Sequence, residues 1–224
     1  MREQTKITGK SVLLFDLDGT LTDPAQGITN GFKFALDFFG IDIPSYETLC
    51  SFIGPPLMDT FRFHFGFDEE KVKLGVKKYR EYFGSIGLFE NRVYEGIPEL
   101  LSCLKKSGYR LFVATSKPEE YSIKICDKFN LSHFFEKICG SNMDETRSKK
   151  SEVIAYALDS AGISESEKSK VLMIGDRHHD ILGAKENGIE SCGVLFGYGN
   201  REEHEKAEAD FIAETVEDLG KYLL

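Results

Sequence analysis

The sequence predicts an α/β protein: a parallel β-sheet covered by helices on both faces, with an all-helical segment inserted near its start. Three observations support this prediction. Short apolar runs that end in polar or glycine residues recur along the chain, helical patterns separate them, and one long stretch breaks the alternation. Buried strands of parallel sheets are such continuous apolar runs, and strands that alternate with helices indicate a parallel sheet.

The first predicted strand is SVLLF at residues 11–15, and the alternation resumes after residue 92. Further strands are predicted at residues 109–114, 136–140, 170–174 and 190–196. Helices are predicted at residues 97–107, 118–129, 150–161 and 179–187. The helix at 150–161 has the clearest pattern, because apolar residues recur at helical spacing and Gly162 follows as a stop signal.

The stretch from residue 23 to 92 contains several helical patterns and no convincing strand. Phenylalanine dominates its apolar positions, which is typical of a small bundle that builds its core from large side chains; these residues are Phe32, Phe34, Phe38, Phe39, Phe61, Phe63, Phe65 and Phe67. The turn IGPPL at residues 53–57 interrupts the helices. We therefore expect a core domain of residues 1–22 and 93–224 and an inserted helical domain of residues 23–92.

Composition excludes several classes of protein. The chain has 224 residues and a formal net charge of −9, whereas nucleic-acid binding relies on clustered Lys and Arg. Its five cysteines are far apart and form no CxxC pair, which argues against a zinc ribbon or a disulfide framework. The N-terminus lacks an apolar signal segment, and every apolar run is too short to span a bilayer. We expect a cytoplasmic monomer or weak dimer that acts on small molecules, not on nucleic-acid polymers or membranes.

The strongest chemical signal is the string FDLDGTLT, which directly follows the first predicted strand. In an open α/β sheet, ligands bind at the carboxyl ends of the strands, so Asp16 and Asp18 are placed where they can act on a ligand. Gly19 allows a sharp turn that can direct backbone N–H groups towards an anion. The alternative is that Asp-x-Asp-Gly only forms a turn.

Two later segments add groups that can bind phosphate. Thr115 and Ser116 close the strand at 109–114, where a hydroxyl and backbone N–H groups can cradle an anion. Lys149 and Lys150 precede the helix that begins near residue 151, and a lysine can supply a point charge on a long side chain. The alternatives are a simple helix cap for the first pair and a solvated basic patch for the second.

The segment GDRHHD at residues 175–180 follows the strand at 170–174. Asp176 and Asp180 are four residues apart at a strand-to-helix junction, so both can face one cation. His178 and His179 raise the alternative of zinc, but adjacent residues at a helix start diverge and an oxygen-rich carboxylate set favours magnesium. We expect the two histidines to lie at the rim of the site.

Together these motifs, in this order, resemble the signatures of the haloacid dehalogenase superfamily, in its phosphoglycolate phosphatase-like branch. The resemblance covers essentially the whole chain. It implies a Rossmann-like core with the first strand in the centre of the sheet, and it implies that residues 23–92 form a helical cap over the site.

The resemblance also implies roles for the site residues. Asp16 would be the nucleophile that forms an aspartyl-phosphate, and Asp18 would be the general acid and base. Magnesium would be held by Asp16, the backbone carbonyl of Asp18 and Asp176, with Asp180 orienting its waters or the lysine. Phosphate would be bound by the Gly19 turn and by Thr115, Ser116 and Lys150; because the chain lacks the Lys-Pro dipeptide of many relatives, Lys149 stays possible.

The predicted function is a magnesium-dependent phosphatase for small metabolites, either phosphoglycolate-like compounds or nucleotide monophosphates. A sugar phosphomutase, a pyrophosphatase and a catalytically silent binding module are the alternatives. We hypothesise that the turn at residues 53–57 and Arg80 contact the leaving group.

Overall fold

A computed structural model describes residues 6–144 and 146–224. The strands are β1 Val12–Phe15, β2 Thr22–Asp23, β3 Arg92–Val93, β4 Arg110–Pro118, β5 Lys137–Ser141, β6 Val171–Gly175, β7 Glu190–Val194 and β8 Phe211–Ala213. The α-helices are α1 Ala25–Phe38, α2 Tyr46–Cys50, α3 Leu57–Asp59, α4 Glu69–Phe83, α5 Ile97–Lys106, α6 Glu119–Lys128, α7 Lys150–Ala161, α8 His178–Glu186, α9 Arg201–Lys206 and α10 Val216–Leu223. One π-helical segment, Thr60–His64, and three 3-10 segments, Gly87–Phe89, Ser132–Phe134 and Glu165–Lys170, complete the described elements.

The chain divides into two compact units. The first joins the chain up to Thr22 to Val93–Leu224, and the second is Asp23–Arg92. The first unit contains a six-stranded sheet in the order β5-β4-β1-β6-β7-β8. The short strands β2 and β3 pair with each other in a separate sheet.

The six-stranded sheet is parallel throughout and confirms the predicted Rossmann-like α/β class. The chain leaves β1 towards β4 and β5 on one side and later adds β6, β7 and β8 on the other. The strand order therefore reverses at β1, and ligands of such sheets bind in the crevice at the carboxyl ends of the strands beside this reversal. A ligand site is therefore expected at the residues that follow β1, β4 and β6.

Helix α7 covers one face of the sheet. Its residues Val153, Ile154 and Ala157 are fully buried and belong to one apolar cluster with Leu14 of β1 and Phe112 of β4. The helix ends where Gly162 adopts a left-handed conformation with φ of 68°, a backbone region that glycine reaches without strain. This packing fixes the position of the first residue of α7, Lys150.

The second unit is built around aromatic side chains, as the sequence predicts. Phe32 of α1 is buried, and its ring centroid lies 5.0 Å from that of Phe52, 5.5 Å from that of Phe61 and 5.1 Å from that of Tyr79. The expectation that the whole phenylalanine set forms this core is wrong. Three members point to solvent because their helical positions lie off the buried face: Phe34 is 44%, Phe38 52% and Phe63 77% exposed.

The sequence patterns differ from the structure at one boundary near the site. The sequence predicts Pro118 in the first turn of a helix, but Pro118 is the last residue of β4 and the N-cap of α6, with ψ of 131°. The strand therefore continues through Thr115, Ser116 and Lys117. None of the helices in the described ranges has both the length and the apolar composition that crossing a bilayer requires.

Candidate active site

Asp16 lies directly beyond the central strand β1, and its position is set by the backbone. Its N–H donates to the Ile174 carbonyl of β6 at 2.9 Å, which continues the parallel pairing by one residue. The residue is only 6% exposed. Burial raises the pKa of Asp16, the Asp180 charge adds to this effect, and the Lys150 ammonium opposes it.

Lys150 links two of the predicted carboxylates. Its Nζ lies 2.7 Å from Asp16 Oδ1 and 2.8 Å from Asp180 Oδ1, and it donates to the Ala114 carbonyl at 3.0 Å. Burial lowers the pKa of Lys150, but the two carboxylates outweigh it and raise the pKa, so the ammonium stays charged. Lys149 is exposed at the N-cap of α7, so the structure places Lys150 and not Lys149 among the site residues.

The end of β4 lies beside the first motif. Thr115 is 2% exposed, and its hydroxyl accepts from the Lys117 N–H at 3.3 Å. Ser116 is half-buried next to it. The Lys117 Nζ forms an ion pair with Asp18 Oδ2, a contact that the sequence did not predict.

Asp176 follows β6 and is 1% exposed. Its Oδ2 accepts from the Tyr198 N–H at 2.8 Å. The glycines on either side of Tyr198 allow this loop to reach Asp176, because a Cβ on Gly197 would lie 2.4 Å from the Asp176 Cβ and one on Gly199 1.9 Å from its carbonyl oxygen. The signal for this loop in the sequence is the segment Gly197-Tyr198-Gly199, which follows a predicted strand and was not among the predicted site motifs.

The turn at Gly19 uses the glycine's own N–H, which donates to the Thr22 carbonyl at 2.7 Å. That the turn directs backbone N–H groups towards an anion stays a prediction. Gly19 also provides space: its φ is +84°, and a Cβ would lie 2.1 Å from Asp176 Oδ2. A glycine at this position lets the FDLDGTLT segment and the GDRHHD segment pack closely together.

Three carboxylates converge at this point. One oxygen from each of Asp16, Asp176 and Asp180 lies within 4.8 Å of the others. Asp176 Oδ1 is buried and has no hydrogen-bond partner. Burial, and then the charges of Asp180 and Asp16, raise the pKa of Asp176 well above its usual range. One lysine against three buried carboxylates leaves negative charge uncompensated, and a hard divalent cation with oxygen ligands fits this set.

The two adjacent histidines, His178 and His179, do not belong to this carboxylate cluster. His178 Nδ1 lies 2.6 Å from Glu203 Oε1, and the same carboxylate oxygen accepts from the His178 N–H at 2.8 Å and from Arg177 Nε at 3.0 Å. Burial lowers the pKa of His179 to about 4. In the described part of the chain no histidine joins a group of potential metal ligands, which leaves zinc without support.

The comparisons with known proteins agree with this geometry. The family model described as haloacid dehalogenase-like hydrolase matches residues 13–194. The chain belongs to the haloacid dehalogenase-like hydrolase family. The match spans the strand that delivers Asp16, the Thr115 segment, Lys150 and the Asp176–Asp180 segment, so the predicted family is confirmed.

Relatives in this family carry different names. The chain is 49% identical over 191 residues to a 5′-nucleotidase of Pseudomonas aeruginosa, covering 85% of each chain. It is 35% identical to the tyrosine-protein kinase PtkA of Mycobacterium tuberculosis, covering 95% of this chain and 72% of that protein. The crystal structure of a predicted phosphatase from Clostridium acetobutylicum superposes with a TM-score of 0.91 at 44% identity, covering 95% of this chain and 97% of that one.

Proposed function

We propose that this haloacid dehalogenase-like hydrolase is a magnesium-dependent phosphatase of small phosphate monoesters, with 5′-nucleotides as its first candidate substrates. The observation that carries the proposal is the buried Asp16 carboxylate at the strand reversal, between the Lys150 ammonium and the carboxylates of Asp176 and Asp180. The 49% identity to a 5′-nucleotidase supports the substrate class.

The metal fits the donors present. Asp16 and Asp176 would hold Mg²⁺ with carboxylate oxygens, the Asp18 carbonyl would complete the protein ligands, and Asp180 would stay paired with Lys150. When bound, the ion would offset the repulsion between an anionic nucleophile and an anionic phosphate. Asp176 Oδ1 gives the most direct support for such a cation, because this carboxylate oxygen is buried and has no hydrogen-bond partner.

Asp16 and Asp18 share the chemistry of the first half-reaction. An Asp16 oxygen attacks phosphorus, the bond from phosphorus to the ester oxygen breaks, and a proton from the Asp18 carboxyl passes to the departing alcohol. Burial raises the pKa of Asp18, which favours a carboxyl group that can hold this proton. Lys150 and the Thr115 hydroxyl neutralise and orient the phosphoryl oxygens.

The second half-reaction reverses the proton transfer. Water attacks the phosphorus of the aspartyl-phosphate, its proton passes to Asp18, and the bond to Asp16 breaks to release inorganic phosphate. In a phosphomutase the acceptor would be a sugar hydroxyl instead of water, and phosphate would not accumulate.

The experiment is release of inorganic phosphate with Mg²⁺ from a panel of nucleotides, phosphoglycolate, sugar phosphates, pyrophosphate and phosphotyrosine peptide. Wild type is expected to hydrolyse a 5′-nucleotide, and Asp16→Asn to be inactive while retaining its fold. Activity of Asp16→Asn equal to wild type would reject the nucleophile. Isomerised sugar phosphate without phosphate release would favour the mutase, pyrophosphate as the only substrate would favour the pyrophosphatase, and no turnover on any member would favour a binding module.

The assignment of the leaving-group contacts to residues 53–57 and Arg80 stays a prediction. Replacing the 53–57 turn should change the ratio of turnover among the panel substrates. Unchanged ratios would reject this assignment.

A further inference from the structure

The proposed mechanism gives no role to the side chain of Lys117, near the end of β4. It follows Thr115 and Ser116, and its backbone N–H donates to the Thr115 hydroxyl at 3.3 Å. Its side chain is only 7% exposed, although lysine is rarely buried unless it is paired. Its ammonium is paired with Asp18 Oδ2, and that carboxylate is 12% exposed.

Two neighbouring strands bring these side chains to the same edge of the sheet. Strands β1 and β4 are parallel neighbours, with Phe15 opposite Val113. Asp18 follows the end of β1, and Lys117 lies near the end of β4. The ion pair thus spans the two strand ends at the reversal of the strand order, where the reacting groups lie.

The two oxygens of Asp18 have different surroundings. Oδ2 is held by Lys117, whereas Oδ1 is buried without a hydrogen-bond partner. A buried carboxylate oxygen without a partner is uncommon and is expected to have one during function. The free Oδ1 is therefore the oxygen available to exchange a proton with the ester oxygen or with water.

We infer that Lys117 is a positioning residue that holds Asp18 through Oδ2 and keeps Oδ1 free for proton transfer. This inference rests on the proposed function, because it assigns a partner to the general acid and base. It is distinct from the role of Lys150, which contacts Asp16 and Asp180 instead.

Proton transfer to the leaving group matters more for some substrates than for others. An alkyl phosphate such as a 5′-nucleotide expels an alkoxide that must be protonated, whereas p-nitrophenyl phosphate expels a phenolate that is stable near neutral pH. The ratio kcat/KM reports only the steps up to loss of the alcohol, so it isolates the first half-reaction. A positioning defect at Asp18 should therefore lower kcat/KM for the alkyl ester and spare the activated aryl ester.

The test is the pair of variants Lys117→Met and Lys117→Arg, with Lys124→Met as the matched control. Lys124 is an exposed lysine of α6 that pairs with Glu120 at 2.6 Å, away from Asp18. Lys117→Met should lose about 10- to 100-fold in kcat/KM on a 5′-nucleotide, less than the roughly 10²- to 10⁴-fold contribution of general acid–base catalysis because Asp18 itself is kept, and at most about threefold on p-nitrophenyl phosphate. Lys117→Arg should recover part of the loss, and Lys124→Met should match wild type.

A burst adds an independent readout. Asp18 also acts as base in hydrolysis of the aspartyl-phosphate, so Lys117→Met should slow that step for every substrate. With p-nitrophenyl phosphate it should then release a burst of about one p-nitrophenol per enzyme molecule before a slow steady state.

A double-mutant cycle with Asp18→Asn separates positioning from a structural role. In the Asp18→Asn background there is no carboxylate to position, so adding Lys117→Met should change kcat/KM by less than about twofold. Equal losses on both esters, or a further loss in the Asp18→Asn background, would overturn the inference. If Lys117→Met does not fold, Lys117→Gln serves in the same comparison. An inactive wild type would reject the proposed function instead.

Discussion

Replacing Lys150 by Met tests how the site holds its charges. The substitution keeps most of the apolar stem and removes an ammonium that contacts Asp16 at 2.7 Å and Asp180 at 2.8 Å. At an effective permittivity of about 20, each pair contributes roughly 6 kcal/mol of attraction. Removing the ammonium also removes its own desolvation penalty of several kcal/mol, and breaking buried pairs in this way typically costs about 3–5 kcal/mol.

We therefore expect Lys150→Met to lower the free energy of unfolding by about 3–5 kcal/mol at pH 7, measured by urea denaturation in EDTA. Phosphatase activity should fall by at least about 100-fold, because an oriented charge at the phosphoryl oxygens is lost. The neighbouring Lys149→Met is the control, since Lys149 is exposed and should change stability by less than about 0.5 kcal/mol. Equal stability of the two variants, or equal activity, would refute the placement of Lys150.

Three further predictions concern the surroundings of the site. Gly19→Ala places a Cβ 2.1 Å from Asp176 Oδ2 and should abolish the thermal stabilisation of the protein by Mg²⁺. The control is Gly108→Ala, which has a φ of +89° and no atom within 4 Å of its Cβ, and it should retain this stabilisation. Both results are measured by thermal melts over a Mg²⁺ titration, and stabilisation of Gly19→Ala equal to that of Gly108→Ala would contradict the prediction. Burial raises the pKa of Glu203, but hydrogen bonds from His178 and the charge of Arg177 outweigh burial and lower this pKa from 4.5 to about 2. The ionised Glu203 therefore stabilises the folded protein fully above pH 4.5, and this contribution is lost as the pH falls towards 2. The stability deficit of Glu203→Gln should accordingly be larger at pH 7 than at pH 3.5 in urea unfolding, and an equal deficit would reject this linkage. Burial raises the pKa of Cys126 and Cys192 to about 12. A disulfide reagent at pH 8 should therefore modify the exposed Cys103 in the native protein, and should modify the two buried thiols only after unfolding. Rapid reaction of either buried thiol in the native protein would contradict the structure.

The sequence predicts the strands that carry the site because their signals are local. The apolar runs of β1 and β6 are each followed by an acidic motif, and a buried strand followed by such a motif needs no long-range information to be recognised. Asp16 and Asp176 are predicted on that basis, and the structure brings their carboxylates together beside Lys150, which the sequence offers only as one of two adjacent lysines. Their catalytic roles stay predictions.

Contacts between distant segments could not be predicted in the same way. The pairing of Lys117 with Asp18 depends on the register between β1 and β4, which a single sequence does not give. Glu203 and His178 are 25 residues apart in the chain, and their contact joins the N-terminal turns of two helices. Both contacts arise from the packing of elements and leave no pattern at either position alone.

The helical phase of the second unit was the other source of error. Phe32 and Phe63 have the same apolar character in the sequence, yet one is 1% and the other 77% exposed. Residue type alone therefore does not fix which face of a short helix is buried, because that choice is made by the neighbouring helices.

The central claim is that Asp16 carries the phosphoryl group during turnover. The most direct test mixes excess enzyme and Mg²⁺ with an intact substrate that the enzyme is known to hydrolyse and that is labelled at phosphorus. The reaction is quenched within the first turnover, and the label is mapped by peptide mass spectrometry. We predict an acid-stable, hydroxylamine-labile label on the peptide that contains Asp16, and none in Asp16→Asn. Label on another residue, or phosphate release by Asp16→Asn at the wild-type rate, would contradict the mechanism.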